Sequence, residues 1–511
     1  MTRKTYWQTL TEDILQNKRL LFFTILTTVL CFGFTITNFS MGIDDCARNY
    51  YFYSNSPGSM IQQGRLLHVA LNLLTRSIEF IPFFTDFVGA ALFALSALLY
   101  CALYQYISGN RIPLAALLSF SCVYISYPIT VEKYIYNLDV IATMVSYCCS
   151  AVSLMYAYRF VNEKHPLLFC KSVAVLMAAV GSYESYMFLY FCGVFSVLIL
   201  DILFNDSRKN FRSILIDGLK YAAILIAALV LYYGLVQLVQ LATGQAGIFT
   251  RDSFWSDPDT GFASKLLTVS KNIVSFFLES ISCRYIPGLV FLLFSGISFV
   301  LAGILSFRKK NIWLLPSFLA LWFGNFLIHI VVGNFMARAA QTFCFFIAFI
   351  VMLLVSSFWT RTFFKRVLTA AVVLLVFVQS ADMNRWFYND YVRYQKETFV
   401  IDTIATKLVA EYDVSKPVVF TNSPYSGYLD TTLYPGKQVI GNSLIYWTGY
   451  AFGDETQPFI SEVFYMHGYD FITSPTAEQY AQALIEAESM PAWPTDGCIQ
   501  EFDDFIVVNF G

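Results

Sequence analysis

The 511-residue chain is 57% hydrophobic and 18% aromatic but only 13% charged, with a mean hydropathy of +0.57. A water-soluble protein of this length carries about twice that charged fraction, so a soluble globular enzyme is excluded and a multi-pass membrane protein remains. The net charge of −2 hides a division, because residues 382–511 hold 6 Lys+Arg against 18 Asp+Glu and the preceding part 27 against 17; a basic, apolar body carries an acidic tail, and no nucleic-acid partner is expected.

Runs of about 20 apolar residues match a hydrocarbon core about 30 Å thick. The first, 19–39, follows Arg3, Lys4 and Lys18 and has no small-residue cleavage site, so it reads as an anchor rather than a removed signal. Ten more are expected at 82–107, 112–130, 138–160, 166–182, 184–204, 214–242, 285–306, 311–332, 336–358 and 362–381. Polar Gly181-Ser182-Tyr183-Glu184-Ser185 is taken as a tight turn between two of them. With eleven spans, the N-terminus inside and the C-terminus outside, every inner segment is basic, from Arg111 and Arg159 through Arg208, Lys209 and Arg212 to Arg308, Lys309, Lys310, Arg361, Lys365 and Arg366. Fusing the runs at Gly181 would turn the Arg308 and Arg361 clusters outward.

Two outer connections are long, 40–81 and 241–284, and each contains a stretch (61–74 and 264–278) able to lie in the interface as an amphipathic helix. The expected fold is an all-α bundle over 1–381 with a small α/β outer domain over 382–511. That tail opens with a helix at 390–410, then alternates strands at 417–421, 438–441, 471–473 and 505–509 with a helix at 476–489. Ser423-Pro424, Tyr434-Pro435-Gly436 and Asp496-Gly497 supply the turns.

Chemistry concentrates on the outer side. Gly42-Ile43-Asp44-Asp45 follows the first span, and two carboxylates beside hydrocarbon carry a penalty on the order of several kcal/mol unless solvated or paired. A carboxylate there suits removal of a proton from an acceptor hydroxyl. Arg65, Lys133, Arg251, Arg284 and Arg338 share that side, where the positive-inside bias would not put them, and the arginine fork suits phosphate oxygens. Each residue also has a plainer reading. Asp44-Asp45 caps an outer helix or pairs with Arg48, Arg338 pairs with Glu184, and an arginine near a headgroup snorkels. Glu132 and Glu184 either bind acceptor hydroxyls or tether an arginine, and Asp139 is a cap or a site member. His68 reads as a face residue of the 61–74 helix and His329 as hydrogen-bonded structure. No GxGxxG, P-loop or HExxH occurs, and four scattered histidines make no metal site. Of eleven cysteines only Cys46, Cys283 and Cys498 fall outside the expected spans; the others behave as small hydrophobes.

This pattern resembles the glucosyl transferase II family, membrane enzymes of O-antigen modification within the GT-C class. The likeness rests on Gly42-Ile43-Asp44-Asp45 with Arg48, on Gln63-Gly64-Arg65-Leu66-Leu67, on Ser182-Tyr183-Glu184-Ser185 and on Met336-Ala337-Arg338. In the tail it rests on Phe387-Tyr388-Asn389-Asp390 and on Met490-Pro491-Ala492-Trp493-Pro494-Thr495-Asp496-Gly497 before Asp504-Phe505-Ile506-Val507-Val508. Two positions depart from it: Leu66 stands where an aromatic is expected and Glu184 where glutamine is.

The resemblance implies a bacterial inner-membrane hexosyltransferase working on the extracytoplasmic face by inversion. It implies a sugar, usually glucose, moved from a polyprenyl-phosphate donor to a lipid-linked or surface glycan such as O-antigen of lipopolysaccharide. Asp44 and Asp45 would be catalytic; Arg65, Arg338, Lys133 and Arg284 would hold the donor phosphate; Glu132, Glu184, Tyr183 and His68 would meet the acceptor. No cofactor is expected, although the adjacent carboxylates of Asp44-Asp45 could ligate a divalent cation. A companion flippase and donor synthase would supply the lipid sugar. The rival reading, a glycolipid transporter or flippase, needs ionisable groups near the midplane, where only Asp217, Lys220 and His329 come close. A glycan-binding assembly factor built on the tail is the third reading.

Overall fold

Asn17 opens the first long helix, α1 (Lys18–Thr37): its side chain accepts from the Leu20 amide at 3.1 Å, satisfying a donor that the first turn leaves over. The computed structural model describes residues 4–42, 45, 58–75, 82–205, 210–247, 255, 261–282, 284–359, 361–422 and 457–511. After α1 come α2 (Leu66–Thr75), α3 (Pro82–Ser108) and α4 (Leu114–Ser126). Pro128 disfavours a helical Tyr127, which is extended, and the chain bends 43° into a short limb, Pro128–Tyr134. The body continues through α5 (Asn137–Glu163), α6 (Pro166–Val180), α7 (Tyr186–Phe204), α8 (Phe211–Thr243), α9 (Phe262–Ser282), α10 (Ile286–Lys309), α11 (Leu314–Gly324), α12 (Thr342–Phe358) and α13 (Thr362–Glu411).

Among the described residues seven helices are long and apolar enough to cross a membrane (α1, α3, α5, α7, α8, α10 and α13), or eight if α4 and its bent limb make one span. The expectation of about eleven spans is therefore corrected. The runs at 166–182, 311–332 and 336–358 form helices of 15, 11 and 17 residues. At 1.5 Å per residue they reach only ~16 to ~26 Å, short of the ~30 Å core. Asn325 and Phe326 interrupt the second run, leaving a separate short helix, Leu327–Val332. The third, α12, has Thr342 through Leu353 buried inside the protein, so its hydrophobicity serves packing against helices rather than exposure to lipid. Gly181–Ser185 does separate α6 from α7.

α5 packs on α3 and α6, α4 lies between α1 and α12, and α7 rests on α11. The high aromatic content fills these seams, with ring centroids 4.9 Å apart for Phe93 and Tyr124 and 5.0 Å apart for Tyr100 and Phe345. The exterior is the inverse of a soluble protein's: Phe22, Ile25 and Val29 on α1, Val230 and Leu238 on α8, and Leu374 and Phe377 on α13 are all exposed. Apolar area on that scale needs lipid to cover it. α9 turns Leu266, Leu267, Val274 and Leu278 outward while burying Lys265 and Val269, an amphipathic helix.

α13 runs 50 residues without a break, straight through the expected boundary at 382, and absorbs the helix expected at 390–410. Beyond it lie β1 (Val418–Thr421), α14 (Gln457–Met466), α15 (Ala477–Ala487), β2 (Ile499–Glu501) and β3 (Ile506–Asn509). The sheet order is β1-β3-β2, with β1 parallel and β2 antiparallel to β3. One face (Val418, Phe420, Ile506, Val508) meets Ile401, Ile404 and Leu408 of α13; the other (Val419, Val507) meets Ala483 and Ala487 of α15. Met41, just after α1, belongs to the first of these cores. Residues 471–473 form no strand, and the strand expected at 438–441 lies outside the described residues. Cys46 and Cys283 also lie outside them, while Cys498 is a buried free thiol.

Candidate active site

The loop after α1 leaves its helix under tight control. Ser40 Oγ donates to Asp390 Oδ2 at 2.6 Å, and the Ser40 carbonyl accepts from Asn137 Nδ2 at 3.2 Å. Gly42 then passes so close to Tyr136 that a Cβ would stand 2.8 Å from its ring and 3.2 Å from the Ile135 carbonyl; only glycine fits this approach. Asp45 is fully buried, and its amide donates to the Gly42 carbonyl at 3.1 Å. Its Oδ2 accepts from the Gly42 amide at 3.0 Å and its Oδ1 from the Leu138 amide at 3.1 Å. Leu138 is in the first turn of α5, whose own N-cap, Tyr136, offers no side-chain bond. Asp45 is thus a cap supplied from a distant part of the chain, and its charge meets the positive end of the helix. Asp44 lies outside the described residues.

His68 is drawn to the same turn. Its Nε2 lies 3.0 Å from the Leu138 carbonyl and 3.0 Å from Asp139 Oδ1, and the ring is buried. Asp45, His68 and Asp139 therefore converge on one helix start, with Asp86 of α3 close enough to feel the Asp45 charge.

Arg65 is placed by the turn before α2. Gly64 has φ +70°, a left-handed conformation that glycine adopts without penalty, and Arg65 N donates back to Met60 O at 2.9 Å. Tyr232 of α8 bridges the turn, donating to the Gly64 carbonyl and accepting from Leu66 N at 3.1 Å, while Leu67 N donates to Gly181 O at 3.0 Å. These bonds bring Arg65 to the Gly181–Ser185 corner, its Cζ 4.8 Å from the Tyr183 ring centroid. Lys133, buried on the Pro128–Tyr134 limb, sits 3.4 Å from the same centroid. One ring hence gathers two cations, each cation–π contact contributing about 0.5–2 kcal/mol.

Glu132, half-buried beside Lys133, lies in the fields of Arg338, Lys133 and Asp390. Arg338 is brought there by a 3-10 turn, Ala337–Ala339, which packs on the limb. Tyr285, stacked on Trp386 at 5.1 Å, feels the charges of Glu132 and Asp382. Its hydroxyl is buried and has no hydrogen-bond partner among the described residues. An unmet buried hydroxyl costs about 1–3 kcal/mol, which a bound polar ligand would relieve. Glu184 is half-buried next to Tyr183, and Arg284 is exposed in a left-handed corner with φ 55°.

Two groups of the expected residues are thus assembled: Arg65, Lys133 and Tyr183 in one contact set, and Glu132 with Lys133 and Arg338 in another that shares the lysine. His68 is packed away against α5 instead of facing open space. Among the described residues no group of three or more His, Cys, Asp or Glu side chains is set to hold a metal ion. Sequence reasoning missed Tyr285 and the buried set Asp390, Arg393 and Glu397. The last had a readable signal, since spacings of three and four along an expected helix put all three on one face.

No curated protein matches the chain. Residues 33–356 match the model of the glucosyl transferase GtrII family. That stretch is more than half of the sequence and contains Asp45, Arg65, Lys133, Tyr183 and Arg338, so the chain belongs to the glucosyl transferase GtrII family.

Proposed function

We propose that the protein moves a hexose, glucose by its family name, from a polyprenyl-phosphate donor to a surface glycan at the outer face of a bacterial inner membrane. The observation that carries the reading is the convergence of Arg65, Lys133 and Arg338 around Tyr183 and Glu132. Three cations, with Lys133 buried, Arg65 half-buried and Arg338 exposed, suit a phosphate that gains charge as its bond to sugar breaks. A donor that is half lipid also accounts for a catalyst built almost wholly from apolar helices.

The reaction is a single displacement. The acceptor oxygen attacks the anomeric carbon, the bond from that carbon to the phosphate oxygen breaks, and the electron pair leaves with polyprenyl phosphate. The acceptor proton goes to a carboxylate and from there to water. Asp45 has both oxygens committed to main-chain amides, so the base role falls to its neighbour Asp44. Arg65, Lys133 and Arg338 take the phosphate charge, with Arg284 at the rim. Glu132, Glu184 and the Tyr285 hydroxyl bind acceptor or sugar hydroxyls, and Tyr183 holds two of the cations in place. His68 fixes the start of α5 rather than touching the acceptor.

Mass spectrometry of the surface glycan from cells with and without the protein tests this. A hexose per repeat gained with the wild-type chain and lost with Asp44→Asn is expected. An unchanged glycan would overturn the reading, and movement of labelled donor across the membrane without transfer would assign a flippase instead.

A further inference from the structure

Among the described residues Arg393 is the largest side chain that is fully buried, at 0% exposure, and it takes no part in the proposed transfer step. Its Nε donates to Asp390 Oδ1 at 3.0 Å, its Nη1 to Glu397 Oε2, and its Nη2 to the Met41 carbonyl at 2.6 Å. Asp390 also accepts from Ser40 Oγ at 2.6 Å and lies in the field of Glu132. Removing three charges from water carries a penalty on the order of several kcal/mol per ion, and apolar residues of the same volume would hold a helix to a loop as well or better. A network this expensive is kept where it sets a geometry.

Resting on the transferase reading, we propose that Arg393 is the positioning residue of the loop after α1. Clamped by Asp390 and Glu397, its guanidinium holds the Met41 carbonyl and so fixes the chain where it enters Gly42, whose amide binds the buried Asp45. The geometry leaves the loop little slack. Ser40 is held by its side chain and its carbonyl, Met41 by its carbonyl, and Gly42 by its amide to Asp45. Asp390 accepts from Ser40 Oγ and lies in the field of Glu132, so the same face of α13 that holds the loop also bears on the charge of Glu132. Planarity matters here, since three directed bonds leave one guanidinium in different directions and a lysine ammonium cannot reproduce that fork.

Two full-length variants test the idea. Arg393→Lys keeps the charge and loses the fork. The neutral triple Asp390→Asn, Arg393→Met and Glu397→Gln removes the network without stranding a buried ion. Both are first shown to be monodisperse with a cooperative thermal transition. In transfer assays with polyprenyl-phosphate hexose, kcat is expected to fall about 10- to 100-fold with donor KM within about twofold, the triple being more severe. Amide exchange of the peptide spanning 39–45 is expected to quicken at least about tenfold in both variants. Unchanged exchange overturns the positioning role, whatever the activity. So does a rise in KM at constant kcat. If the wild-type chain transfers no hexose but exchange still quickens, the clamp stands and the transferase reading falls.

Discussion

Asp44 and Asp45 are adjacent in sequence yet separable in role, because Asp45 already satisfies the Gly42 and Leu138 amides. Asp45→Asn keeps one acceptor oxygen and replaces the other by an amide that faces a donor, so a loss of about 1–3 kcal/mol in stability is expected, read as a lower melting temperature. Asp44→Asn is expected to leave the melting temperature within about 1 °C while lowering kcat by at least about 100-fold, the size of a general-base contribution. Equal stability loss in both variants would count against this division. Tyr285 allows the opposite experiment. Tyr285→Phe removes a buried hydroxyl that has no partner among the described residues, so stability should hold or rise. Transfer should fall all the same if substrate supplies the missing bond; undiminished kcat/KM would remove Tyr285 from the site.

At the scale of elements, what the sequence made legible is what local chemistry decides. The turn at Gly181–Ser185 could be read, as could the amphipathic α9 and the helix and strands near 477, 418 and 506. The length of α6, α11 and α12 could not, because an apolar run gives the same signal whether it faces lipid or other helices. The partner of Asp45 was equally hidden, since Leu138 lies 93 residues away and main-chain amides carry no side-chain signature. His467, just past α14, adds a pH response to the tail. Its Nδ1 is 2.7 Å from the Val463 carbonyl, and burial lowers the pKa of the ring below its usual value. Its folded pKa being the lower one, the unfolded chain binds the extra proton first. The stabilisation is complete above the ordinary histidine pKa of about 6.5 and is lost as pH falls below it toward the folded value. A melting temperature that drops between about pH 7 and 5, and drops less in His467→Gln, is the expected result; identical slopes would refute it.

Across the whole molecule, α13 makes the bundle and the tail mechanically one object. It is a single helix of 50 residues, ~75 Å long at 1.5 Å per residue, so it crosses a ~30 Å core and still reaches well into water. Its C-terminal half supplies Ile401, Ile404 and Leu408 to the tail core, and Met41 from the loop after α1 enters the same core. Arg393 ties that loop to the helix by a bond that neither body could make alone. Acidic composition marks the tail as living in water, but composition is silent about how firmly it is joined to the body. Removing residues 382–511 would expose Met41, strip the loop of its Asp390 and Arg393 partners, and cut a continuous helix near its middle. A chain ending at Ala381 is therefore expected to be inactive even when it inserts, and restoring residues 382–411 alone is expected to recover only part of the thermal stability. In the intact protein, calorimetry in detergent should show one main transition, with tryptophan fluorescence and circular dichroism melting together. Two well-separated transitions, with the tail melting first and hexose transfer persisting above its midpoint, would show that the tail is an appendage and that the loop holds its place without it.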